Sequence, residues 1–110
     1  MATSGPVATL AITPAAAGRL IVTATYEAWR TGGGPGNAGR AKLDCTQDGI
    51  TTSGQDQAFI PSTDYVQFTG REVFDVVASM PVTVRLFAQI TGATSLTIRN
   101  VGLSAELIKL

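Results

Sequence analysis

Histidine is absent from this 110-residue chain, and cysteine occurs once. The first absence removes the commonest general base and metal ligand, so most hydrolase and zinc-site chemistry is excluded. The second excludes an internal disulfide and leaves the redox compartment open. Charge is also sparse, with 8 basic and 8 acidic side chains and a formal net charge of zero. A nucleic-acid binder needs a basic face to displace counterions from phosphates, so nucleic acid is not an expected partner. No apolar run approaches the ~20 residues of a membrane-spanning helix, so membrane insertion is not expected. Residues 1–6 lack the basic and apolar regions of a signal peptide, and the expectation is a soluble chain made in the cytoplasm.

What the chain does have is β-forming residues. Val, Ile and Thr account for 31 positions, Gly for 12 and Pro for 5. The first group suits a pleated, half-buried surface, and the other two supply turns. Leu, Ile, Val and Phe number 28, enough for a small core and too many for a disordered chain. The length suits one domain over residues 1–110, with 1–6 a flexible N-terminal segment.

No segment keeps a helical period, whereas many alternate with period two. Strands are expected over residues 7–13, 19–31, 40–47, 50–52, 58–60, 65–69, 71–78, 82–90, 95–99 and 103–110. In the second, Leu20, Val22, Ala24, Tyr26 and Ala28 share one face, and Ile21, Thr23, Thr25, Glu27 and Trp29 share the other. Asp48-Gly49 is the strongest hairpin signal. The glycine-rich run 32–39 reads as a surface loop that is mobile or ordered by a partner. Together these predict an all-β antiparallel sandwich of about eight strands, of jelly-roll type.

Two regions are apolar on both strand faces. Val73, Phe74, Val76, Val77 and Ala78 fall almost in a row, Phe87 sits opposite the Val82 series, and Leu107, Ile108 and Leu110 follow suit. A two-layer sandwich buries one face of each sheet, so a second apolar face implies a homo-oligomer, expected as a homotrimer. The alternative cover is the chain's own long loops.

Candidate chemistry is thin. Asp44, Asp48 and Gly49 lack the intervening oxygen ligands and terminal Glu of a calcium loop, and turn formation accounts for Asp48. Asp56 and Asp64 are read as solvated loop residues, and Glu27, Glu72 and Glu106 as outward-facing residues that pair with cations across the sheet. Cys45 falls at an inward position with no histidine to activate it and reads as a small buried hydrophobe. Serines and threonines have no placed base, and the glycine run lacks the Lys-Ser/Thr end of a phosphate loop. No catalytic residue, metal ligand or cofactor is therefore assigned. Trp29, beside Arg30 and just before the glycine run, suits sugar stacking or partner anchoring, and Tyr65 is a second candidate contact. The plainer reading of Trp29 is a cover for one end of the core.

The order of elements from Leu20 to Leu110 resembles the compact jelly roll of tumour necrosis factor-like proteins. The early strand 19–31, the glycine run, Arg40-Ala41-Lys42-Leu43, and the closing Thr83-Val84-Arg85-Leu86-Phe87-Ala88-Gln89, Thr97-Ile98-Arg99-Asn100 and Leu103-Ser104-Ala105-Glu106-Leu107 carry the likeness. The closing stretch looks like the last strands of small jelly-roll domains of phage and phage-like particles. That resemblance implies a non-enzymatic virion protein, a capsid decoration or a fibre or tail component, with other virion proteins as partners. It carries over no functional residues. The competing expectation is a carbohydrate-binding module that meets host-surface glycans through Trp29, Arg30 and Tyr65. An enzyme is the weakest class.

Overall fold

The computed structural model describes residues 6–31, 39–59, 64–90 and 95–109. The expected N-terminal segment, apart from Pro6, and the glycine run, apart from Gly39, lie outside them. Eight strands follow in chain order: β1 (Ala8–Ile12), β2 (Gly18–Thr31), β3 (Gly39–Gln47), β4 (Ile50–Ser53), β5 (Gln57–Phe59), β6 (Val66–Val76), β7 (Val82–Ile90) and β8 (Ser95–Lys109). All pairings are antiparallel. One sheet runs β1–β7–β3–β4, with β5 also on β3, and the other runs β6–β2–β8. The chain thus forms the all-β antiparallel sandwich of eight strands that its alternation predicts. The connections β1–β2, β2–β3, β5–β6, β6–β7 and β7–β8 each pass from one sheet to the other.

Strand β2 is the spine. Its 14 residues alternate strictly between buried and more exposed positions, so one face meets the core and the other meets solvent. At about 3.3 Å per residue such a strand spans about 46 Å, which matches the molecule's long dimension of 46 Å. Leu20, Val22, Ala24, Tyr26 and Ala28 of β2 meet Ala41, Leu43 and Cys45 of β3 and Val82, Val84, Leu86 and Ala88 of β7 in a single core. At one end Tyr26, Phe59 and Phe68 cluster with ring centroids 4.8–5.7 Å apart, the separation at which offset and edge-on pairs are favourable. Burial pushes the Tyr26 hydroxyl up to about 12.

Two expected breaks are not breaks. Residues 65–69 and 71–78 belong largely to one strand, β6, that continues through Gly70. At Gly70 a Cβ would lie 2.6 Å from Gln57 Oε1, the movable end of a side chain whose amide donates to the Arg71 carbonyl at 3.1 Å. Residues 95–99 and 103–110 likewise form one strand, β8, with a bulge. Its register against β2 runs from Thr25↔Gly102 to Glu27↔Arg99, and Asn100 takes a left-handed φ of 52°. The extra residue flips the alternation, so Leu103, Ala105 and Leu107 pack inward on one side of it and Leu96 and Ile98 on the other. A change of parity in the apolar pattern was therefore a bulge and not a turn.

The Asp48-Gly49 signal is met. Both residues have positive φ, 53° and 73°, and Gln47 pairs with Ile50 across them, as a type I′ hairpin requires. Gly49→Ala is expected to cost about 1 kcal/mol through backbone strain, whereas Asp48→Asn is expected to leave stability within about 0.5 kcal/mol. Chemical denaturation of the two variants checks the contrast.

The doubly apolar regions divide in the structure. Phe74 and Val76 are buried, while Val73, Val77 and Ile108 are exposed. Phe87 is half-buried under its own neighbour, with Lys42 Nζ 5.7 Å above the ring, so a lysine stem and cation cover that apolar group. Glu72 departs from expectation: it lies opposite inward-facing Val22 and accepts from the Gln55 backbone N–H at 3.3 Å. It bridges the two sheets at their edge. Cys45 is buried, and burial pushes its thiol up. Alkylation by iodoacetamide is expected only when the chain is unfolded; rapid labelling of the folded protein would contradict this placement.

Candidate binding face on the three-stranded sheet

The outward residues of β2 are Arg19, Ile21, Thr23, Thr25, Glu27, Trp29 and Thr31, because their alternates are committed to the core. The cross-strand register sets beside them Val73 and Glu106 at Ile21, Arg71 and Ser104 at Thr23, Gln67 and Arg99 at Glu27, and Thr97 at Trp29. One end of this face is mixed apolar and charged. The other end gathers aromatic, amide and charged groups.

At that second end Trp29 and Tyr65 lie with ring centroids 5.7 Å apart and planes tilted by 55°. Tyr65 immediately precedes β6, so the β2–β6 pairing of Ala28 with Val66 carries it alongside Trp29. The Arg99 guanidinium lies 3.4 Å from the centre of the Tyr65 ring, a cation–π contact. Its Nε also donates to Glu27 Oε1 at 3.0 Å, and Asn100 Nδ2 donates to the same oxygen at 2.5 Å. The left-handed turn at Asn100 is what lets two successive residues of β8 converge on one carboxylate.

The hydrogen bond from Asn100, followed by the bond and charge of Arg99, holds the Glu27 carboxyl below its ordinary range, and burial opposes this only in part. The Glu27 and Arg99 side chains are 28% and 52% exposed. An exposed ion pair adds little to stability, but here it is fixed by a ring and an amide, so its donors and acceptors reach solvent in a defined arrangement. Among the described residues the enclosed Trp29 indole nitrogen has no hydrogen-bond partner, so this half-buried residue does not present its N–H to a ligand.

Of the residues singled out by sequence, Trp29 and Tyr65 come together and Arg30 does not join them. Arg30 has the opposite strand parity, lies level with Leu96, and is only 8% exposed. It is a buried residue of the inner face and not a surface contact. Glu27 was read as half of a cross-sheet ion pair, which it is. Its partners Arg99 and Asn100 were missed as site residues, although the parity change around residue 100 was the available signal.

A cleft lined by Tyr26, Lys42, Leu43, Gln57 and Gly70, among others, has a volume of about 10 Å³, enough for one water. Among the described residues no group of three or more acidic or cysteine side chains is placed to hold a metal ion.

No protein-family model matches the chain, and no curated protein matches it. A solved structure described as "EclA C-terminal domain; sugar-binding protein" superposes with a TM-score of 0.47 and 16% identity, covering 94% of this chain and 69% of that one.

Proposed function

We propose that this chain is a non-catalytic carbohydrate-binding domain whose site is the outer face of the β6–β2–β8 sheet around Trp29. The observation that carries the reading is the joining of Trp29 and Tyr65 to a fixed Arg99–Glu27–Asn100 network on an open sheet face. Pyranose rings present an apolar face and a rim of hydroxyls. An aromatic surface bordered by oriented donors and acceptors complements both. The glycan reading stood second to the virion reading in the sequence, where nothing brought Trp29 and Tyr65 together. Their pairing with each other and with a charged network moves it ahead. A glycan array probed with the full chain and with Trp29→Ala tests it: specific binding that the substitution abolishes supports it, and an array without specific signal rejects it.

A second reading keeps the tumour necrosis factor-like resemblance: a virion component of a phage-like particle that assembles as a homotrimer. It draws on the exposed Val73, Val77 and Ile108, apolar groups that a second copy would cover. Light scattering over micromolar concentrations tests the assembly. A constant mass of one 11.4 kDa chain contradicts it.

A further inference from the structure

We propose that the Trp29 face selects neutral saccharides that present two adjacent hydroxyls, and discriminates against acidic ones; this rests on the carbohydrate-binding reading above. The geometry of the ion pair is the basis. Among the described residues both hydrogen bonds to Glu27 end on Oε1, and the lone pairs of Oε2 suit a further donor. Arg99 reaches that carboxylate through Nε alone, so the donors of its two Nη groups are not used in the pair. An acceptor oxygen and guanidinium donors thus sit side by side beside the Trp29–Tyr65 rings. A pair of neighbouring hydroxyls satisfies both, one donating its hydrogen to Glu27 and the other accepting from Arg99.

A neutral diol adds to the ion pair without breaking it. A sugar carboxylate competes with Glu27 for Arg99, and to win that contact it must approach the like-charged Glu27 carboxylate, which Arg99 and Asn100 hold in place. Separating the pair also gives up the stacking of the guanidinium on Tyr65, 3.4 Å away. The Glu27 carboxylate therefore opposes an anionic ligand although Arg99 lies beside it.

Calorimetric titration of the full chain with methyl galactoside, methyl mannoside, glucuronate and N-acetylneuraminate tests the inference, with thermal melts confirming that each variant is folded. At least one neutral glycoside is expected to bind about tenfold or more tightly than either acidic sugar, the scale of a lost charge-assisted hydrogen bond. Glu27→Gln is expected to shrink that ratio to less than about threefold, weakening the neutral ligand and improving the acidic one. Asn100→Ala, which leaves the carboxylate in place, is expected to reduce the ratio less. Acidic sugars binding as tightly as neutral ones, or a ratio unchanged in Glu27→Gln, overturns the selectivity while leaving the carbohydrate reading intact. Failure of all four sugars and of the array together overturns both.

Discussion

Leu86→Ala is expected to lower the unfolding free energy by about 3 kcal/mol, the range seen when a fully buried leucine is truncated in a close-packed core. Leu86 lies on β7 at the middle of the five-stranded sheet, paired with Leu43 on one side and Ala8 on the other. It belongs to the core shared with Leu20 and Val22 of the opposite sheet. Neither sheet can move far toward the vacated space, because each is held by its own ladder, so a cavity cost adds to the lost burial. A domain of this size has about 5–15 kcal/mol of stability in total, and the melting temperature should fall by more than 10 °C, given roughly 4–8 °C per kcal/mol. Ile50→Ala is the matched control. Ile50 is 69% exposed on the four-residue strand β4, and its truncation should change stability by less than about 0.5 kcal/mol. Urea unfolding curves with unchanged slopes would confirm both values. A loss below about 1 kcal/mol for Leu86→Ala would mean that the two sheets do not pack through this residue.

Trp29→Ala is expected to weaken glycan binding about 30-fold or more, because an aromatic anchor of a small site carries roughly 2 kcal/mol or more of its affinity. The substitution also removes the ring on which Tyr65 rests, at a cost in stability of about 1 kcal/mol, with the fold kept. Its effect should be local. Val73→Ala, on the same sheet face beside Ile21 but at the opposite end, should leave binding unchanged and reduce any self-association. If the two variants weaken glycan binding alike, the site is not the Trp29 end of the face.

Much of the fold was readable from period-two alternation, because one face of each sheet is buried and the other is not. Spacing alone put Leu20, Val22, Ala24 and Tyr26 on one strand face and Val82, Val84 and Leu86 on another, and both sets are buried. The Asp48-Gly49 hairpin was readable because few residues other than these accept two successive positive φ angles. The continuity of β6 and β8 was not. A glycine inside a strand signals a bend or a close approach equally well, and only the pairing with β2 shows that the strand runs on through Gly70. In β8 the apolar parity changes near Asn100, a pattern that a bulge and a turn share until the partner strand is known. The site was half readable for a related reason. Trp29 and Glu27 announce themselves as outward residues of β2, but their neighbours come from β8 and from the residue preceding β6. Sequence spacing carries no information on that long-range register. Arg30 was misassigned because adjacency in sequence was weighed above strand parity, which sends successive side chains to opposite faces.

Trp29 is the sole tryptophan of the chain, so tryptophan emission, excited selectively over the two tyrosines, reports on the proposed site. Titration of the folded protein with the neutral glycoside that binds best on the array should give a saturable change in intensity or emission maximum. Glu27→Gln, with the indole untouched, should move the midpoint to about tenfold higher concentration. Emission that does not change with that glycoside up to roughly 10 mM, beyond the millimolar affinity of a weak site, would contradict a carbohydrate site at Trp29.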